Sequence, residues 1–125
     1  MQAELTTLHH VGVCTHDLER TRRFYTEVLG LEDGHRGRLR RPGAWLYLNG
    51  VPIVHVITGR ERPAGMTGFF DHFCLRARGF EAWKDKLDRL GVRYEEDGQE
   101  GGIRQLFFHD PNEVLIELNF GPEPA

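Results

Sequence analysis

The sequence predicts an α+β protein made of two successive copies of one unit, each ordered strand, helix, then three strands. Two observations carry that expectation. Chemically matched landmarks recur at one offset: His10 and His72 are 62 residues apart, Gly30 and Gly91 are 61 apart, and His55 and Glu117 are 62 apart. The stretch 59–68 (GRERPAGMTG), rich in glycine and charge and holding Pro63, divides the chain into two segments of similar length. The 125 residues suit one ordinary domain with a sizeable core, with module one over about 5–58, a linker over 59–68 and module two over about 69–120.

The elements follow in order. LHHVGVC (8–14) and FFDHFCL (69–75) each carry a histidine followed by alternating apolar residues, the pattern of a strand. A helix is expected after each. Leu18, Thr21, Phe24, Tyr25, Val28 and Leu29 lie at steps of three and four, as do Phe80, Trp83, Leu87 and Leu90. Asp17 is placed to cap the first helix, and Gly30 and Gly91 stand where a helix ends. In the first half, strands 45–48 and 53–58 flank the hairpin pair Asn49-Gly50, and the second strand is poorly marked. In the second half, strands 92–95, 103–108 and 114–120 surround the turn Asp110-Pro111-Asn112.

Composition excludes several functions. Sixteen basic and nineteen acidic residues give a net charge of −3, so no overall basic field favours nucleic acid. The longest apolar run, 51–57, contains Pro52 and His55 and is far short of the roughly 20 residues that span a bilayer. The start MQAEL lacks the features of a secretory signal, so a cytoplasmic protein with Cys14 and Cys74 reduced is expected.

Four polar residues interrupt these apolar strands: His10, His55, His72 and Glu117. Each half places one of them in its first strand and one in its last, 45 residues on. A buried carboxylate without a partner is costly, and imidazole with carboxylate suits zinc, manganese, iron, nickel or cobalt. Taken singly, a strand histidine is more often a hydrogen-bonded, half-buried residue, and a strand glutamate usually faces water. The symmetric spacing and apolar flanks favour a shared metal site.

These residues sit in LHHVGVCTHDLERTRRFYTEVLGL, WLYLNGVPIVHVI, FDHFCLRARGFEAWKDKLDRLGVRY and RQLFFHDPNEVLIELNF, which together resemble the vicinal oxygen chelate superfamily, the glyoxalase/bleomycin resistance/dioxygenase-like proteins. The resemblance runs from about Leu5 to Phe120. It implies two tandem βαβββ modules forming curved mixed sheets around a metal-binding cleft, with one divalent ion (Zn, Ni, Mn, Co or Fe). His10, His72 and Glu117 match the most regular ligand positions, while His55 stands where many members carry glutamate or glutamine. Three neutral histidines and Glu117 around a +2 ion would leave a formal charge of +1, suited to anionic oxygens.

The expected function is a metal-dependent lyase or isomerase that chelates a small oxygen-rich substrate and stabilises an enolate or oxyanion, with Glu117 as a candidate base. If His55 stands off the metal, the remaining two histidines and one carboxylate resemble a non-haem iron triad, and His55 becomes an acid/base candidate in a ring-cleaving dioxygenase. A metal-free drug-sequestering protein is a further alternative, as is a fosfomycin-modifying transferase, for which no additional signature is present. Trp45, Tyr47, Gln105 and Phe107 are candidates to line the substrate site, against ordinary sheet packing. Arg36, Arg38, Arg40 and Arg41 read first as a solvated basic loop and second as a collector of carboxylate or phosphate. His9 is expected to face away from His10, and Cys74 to be a core thiol. A small-molecule substrate and a homodimer are expected, with no nucleic-acid or membrane partner; pairing of modules within one chain or between two is open.

Overall fold

The computed structural model describes residues 2–37, 39–60, 70–99 and 101–121. The chain divides into two compact units, Met1–Glu61 and Arg62–Ala125. The linker expected over 59–68 lies outside the described residues from 61 onward.

In the first unit, β1 (Val11–Cys14) leads through Asp17 into α1 (Leu18–Arg23), which continues as a π-helical turn over Phe24–Val28. The Asp17 carboxylate accepts from the Arg20 amide at 3.1 Å, as expected of a cap. Gly30 then adopts a φ of 76°, a conformation glycine takes without penalty, and ends the helical segment. Strands β2 (Glu32–Gly34), β3 (Gly43–Leu48) and β4 (Val51–Ile57) complete a mixed sheet of order β1-β4-β3-β2, in which β1 runs parallel to β4. Asn49 and Gly50 both have positive φ, the requirement of the tight hairpin their sequence announces.

The second unit repeats the plan: β5 (Phe73–Arg76), α2 (Phe80–Arg89), β6 (Glu95–Gln99), β7 (Ile103–His109) and β8 (Leu115–Phe120), in the order β5-β8-β7-β6. The register itself repeats. Val11 opposite Val54 and Trp45 opposite His55 recur 62 residues on as Phe73 opposite Ile116 and Phe107 opposite Glu117. A bulge at Leu46/Tyr47 is peculiar to the first hairpin. In the second, the Asp110 carboxylate accepts from the amides of Asn112 and Val114 and closes the longer turn.

Side chains alternate across each sheet. Ala44, Leu46, Val54 and Val56 are buried with Tyr25, Val28 and Leu29 of the helical segment. Leu106, Phe108, Ile116, Leu118 and Phe120 are buried in the second unit with Phe73 of β5 and Leu87 of α2, and Phe80 of α2 meets Phe120 edge-on at 5.3 Å. The opposite faces carry Trp45 and His55 in one unit, and Gln105, Phe107, Glu117 and Asn119 in the other.

Among the boundaries that differ from the sequence reading, three matter most. His10 and His72 stand immediately before β1 and β5, because regular pairing begins one residue later. The strand expected over 92–95 is displaced to Glu95–Gln99. Its residues are mostly polar and exposed, so no apolar alternation marked its ends.

Candidate metal centre

Each unit brings together one pair of the four expected ligands. In the first, β4 presents His55 and the residue entering β1 presents His10. Their rings stack with centroids 3.8 Å apart and planes within 7°. Trp45, opposite His55 on β3, covers its other face at 4.1 Å. His55 is thus held between two rings, and its Nε2 is 3.1 Å from the Pro52 carbonyl oxygen, a contact in which Nε2 donates. That tautomer leaves Nδ1 with its lone pair. Burial, and then the neighbouring His10 ring, hold the His55 imidazole below its ordinary pKa, against the opposing Pro52 bond. His9, expected to face away, lies with its Nδ1 2.9 Å from that of His10. Residue 10 precedes regular pairing, so strict alternation does not separate the two rings.

In the second unit, His72 Nε2 and Glu117 Oε1 are 2.9 Å apart. Two ligands of one divalent ion, each about 2.1 Å from it, are separated by about 3 Å at a right angle, so this spacing fits a shared ion. Asp71 Oδ2 accepts from His72 Nδ1 at 2.6 Å, the outer carboxylate that commonly orients a metal-binding imidazole. The Asp71 bond comes first among the influences that raise the His72 pKa, with Glu117 adding to it.

Glu117 is only 6% exposed. Burial is the largest single influence and pushes its carboxyl up, but hydrogen bonds from Gln105, Cys74 and Asn119, with the His72 charge, outweigh it and hold the group below its ordinary value. Gln105 Nε2 donates to Oε2 at 3.1 Å, and Asn119 Nδ2 approaches the same oxygen at 3.5 Å.

Cys74, expected in the core, is exposed in its unit because it shares the open sheet face with Glu117. Desolvation first, then the Glu117 charge, push its thiol up to about 11. Of the expected lining residues, Trp45 stacks on His55, Phe107 meets the His72 ring edge-on at 6.2 Å, and Gln105 spends its amide on Glu117. The Tyr47 hydroxyl donates to the His35 carbonyl oxygen. Asp71 and Asn119 were missed in the sequence. Adjacency to His72 and period-two facing with Glu117 were the available signals.

Among the described residues, no group of three or more His, Cys, Asp or Glu side chains is placed to hold a metal ion, and the ligand candidates come as these two pairs. Their chemistry nevertheless suits a divalent ion: imidazole nitrogens with available lone pairs in one unit, and an oriented imidazole beside an ionised carboxylate in the other.

The family profile of the Glyoxalase/Bleomycin resistance protein/Dioxygenase superfamily matches residues 7–118. The chain therefore belongs to that superfamily. It is 32% identical over 123 residues to Glyoxylase I 4 of Arabidopsis thaliana, covering 91% of this chain and 70% of the relative. The fold is similar to a glyoxylase/bleomycin resistance protein/dioxygenase domain from Frankia sp. EAN1pec, with a TM-score of 0.78 at 20% identity, over 95% of this chain and 100% of that one. It is also similar to FosX, a fosfomycin resistance protein of Listeria monocytogenes. An E126Q form of FosX complexed with Mn(II) and 1S,2S-dihydroxypropylphosphonic acid gives a TM-score of 0.74 at 18% identity, over 98% of this chain and 95% of that one.

Proposed function

We propose that this protein is a divalent-metal-dependent enzyme of the glyoxalase type, a lyase or isomerase acting on a small oxygen-rich substrate, with His10, His55, His72 and Glu117 as the ligands of one ion. The observation that carries the reading is the 2.9 Å approach of His72 Nε2 to Glu117 Oε1, with Asp71 fixing the far side of the imidazole. The likeness to a glyoxylase I relative supports the reaction class, and the likeness to FosX, itself solved with Mn(II), supports the divalent ion.

A divalent ion bound by these residues supplies Lewis-acid polarisation of paired substrate oxygens. The chain's own groups do the rest. Glu117, kept ionised by its donors, would act as a base at Oε1 once displaced from the ion, while Gln105 holds Oε2 and fixes the carboxylate plane. His55, with Nε2 committed to Pro52, offers Nδ1 alone, and the Trp45 ring keeps the imidazole from turning.

A second reading, a non-haem iron dioxygenase using His10, His72 and Glu117, draws on the hydrogen bond that already occupies His55 Nε2. Elemental analysis of untagged protein from metal-supplemented medium tests both. About one ion per chain is expected in the wild type and little in Glu117→Ala. Iron as the sole functional ion would favour the dioxygenase, and no ion in either protein after reconstitution would remove both readings.

A further inference from the structure

Within the first unit, the His10, His55 and Trp45 stack forms one wall of an open pocket of about 630 Å³. Four arginines, Arg36, Arg40, Arg41 and Arg60, form much of the rest, and no Asp or Glu among the described residues lines it. Among the described residues, none of the four makes an ion pair, whereas Arg22 of the same unit pairs with both Glu19 and Asp33. A chain with a net charge of −3 therefore collects in one cavity four cations that have no acidic partner among the described residues.

The arrangement is built rather than left loose. Arg36 Nη2 donates to the Arg41 carbonyl at 2.9 Å, and Arg41 Nη1 donates to the Gly59 carbonyl at 2.6 Å. Carbonyl partners fix a guanidinium without neutralising it. Arg36 Nε is buried and has no hydrogen-bond partner. Two glycines make room for these heads: a Cβ at Gly43 would lie 2.7 Å from Arg36 Nη2, and one at Gly59 would meet Arg41 Nη1. Positioned, unpaired guanidiniums with forked donors suit a carboxylate or phosphoryl-type oxyanion.

We propose that this pocket is an anion-recognition subsite, so that the substrate is a small organic anion whose charged group is held by the arginines. Contact between its other oxygens and an ion on His10 and His55 rests on the metal reading above; the anion subsite does not. The volume is that of a small-molecule pocket, and the acidic balance of the chain disfavours a polyanion.

Trp45 forms part of the pocket wall, and the other tryptophan, Trp83, is in α2 of the second unit, so the Trp45 indole N–H resonance reports the pocket specifically. Titrations of the full chain with malonate, methylphosphonate and uncharged dimethyl malonate, each with and without bound zinc, test the proposal. Malonate or methylphosphonate is expected to shift Trp45, and whichever binds more tightly tells carboxylate from phosphonate. Binding should weaken with rising salt and fall about tenfold or more in Arg40→Gln/Arg60→Gln. Neither arginine makes a hydrogen bond among the described residues, so this variant leaves the loop anchored. Arg36→Met, which removes the anchored head, should lose the shift as well. An equal response to dimethyl malonate, or unchanged affinity in both variants, would overturn the subsite. Arginine-dependent anion binding in a protein that takes up no metal would keep the subsite and sink the metal reading; metal uptake with no anion response would do the reverse.

Discussion

The two units share a register and differ in chemistry around the ligand strand. On the open face of the first, His55 has Gly12 opposite it on β1, while Gly43 and Ile57 face each other on β3 and β4. The positions 62 residues on are Cys74, Gln105 and Asn119, set around Glu117. Cys74, Gln105 and Asn119, which donate to the carboxylate, have counterparts beside the imidazole that cannot donate from a side chain. The difference follows from what each ligand needs. A buried carboxylate must be surrounded by donors or it takes up a proton, whereas a neutral imidazole needs only one partner and a flat neighbour, supplied by Pro52 and Trp45. One backbone thus supports an anionic half and a neutral half.

The comparison can be broken most forcefully through the cores. Phe108 and Leu46 occupy matched positions and are buried to 1% and 0% exposure. Phe108→Ala is expected to cost about 3–5 kcal/mol and Leu46→Ala about 2–5 kcal/mol, read from urea midpoints. A cost below about 1 kcal/mol for either would contradict the packing described.

The next effect is on metal. Glu117→Ala should lower zinc affinity more than a hundredfold, since it removes the only carboxylate among the proposed ligands and leaves the Gln105 amide without its partner. Competition against a chromophoric chelator measures it, and an unchanged constant would exclude Glu117 as a ligand.

Gln105→Leu sharpens the comparison by making the second unit resemble the first. Loss of an outer-shell partner commonly costs about 10–100-fold in metal affinity, and that range is expected here with the fold intact by circular dichroism. Unaltered zinc binding would leave Gln105 without a part in holding the ion.

The smallest effect concerns the helices. α1 is capped by the Asp17 carboxylate, whereas α2 starts from Gly79 at a φ of 85° with no side-chain cap. Asp17→Ala should destabilise the protein by about 1 kcal/mol, and no change in midpoint would mean that Thr15, which bonds the Asp17 amide, does the capping alone.

Much of this could be read from the sequence. The 62-residue offset anticipated the order of elements in each half, and the register repeats at that same offset, because one-residue slips would exchange the apolar and polar faces. The Asn49-Gly50 pair placed the hairpin, and periodicity placed both helices. It failed for Glu32–Gly34 and Glu95–Gln99, edge strands whose exposed residues leave no apolar trace. Among the ligand candidates, all four could be singled out, but their immediate partners were less legible. Asp71 lies outside any strand, and the pairing of Gln105 with Glu117 depends on a cross-strand neighbour that only the register supplies. The arginines looked like a solvated run because spacing says nothing about which carbonyls and glycines stand beside them.

The parallel pairing of β1 with β4 has a consequence for synthesis. Val11 meets Val54 and Phe73 meets Ile116, so in each unit the opening strand must wait for the closing one. Closure of so long a loop carries an entropic penalty before any ladder bond is gained, which makes it a slow step. A chain emerging N-terminus first completes its first sheet once Ile57 is free, while the second is still being made. Nascent chains arrested before that point would hold β1 unpaired, and those arrested beyond it could already protect its amides from exchange.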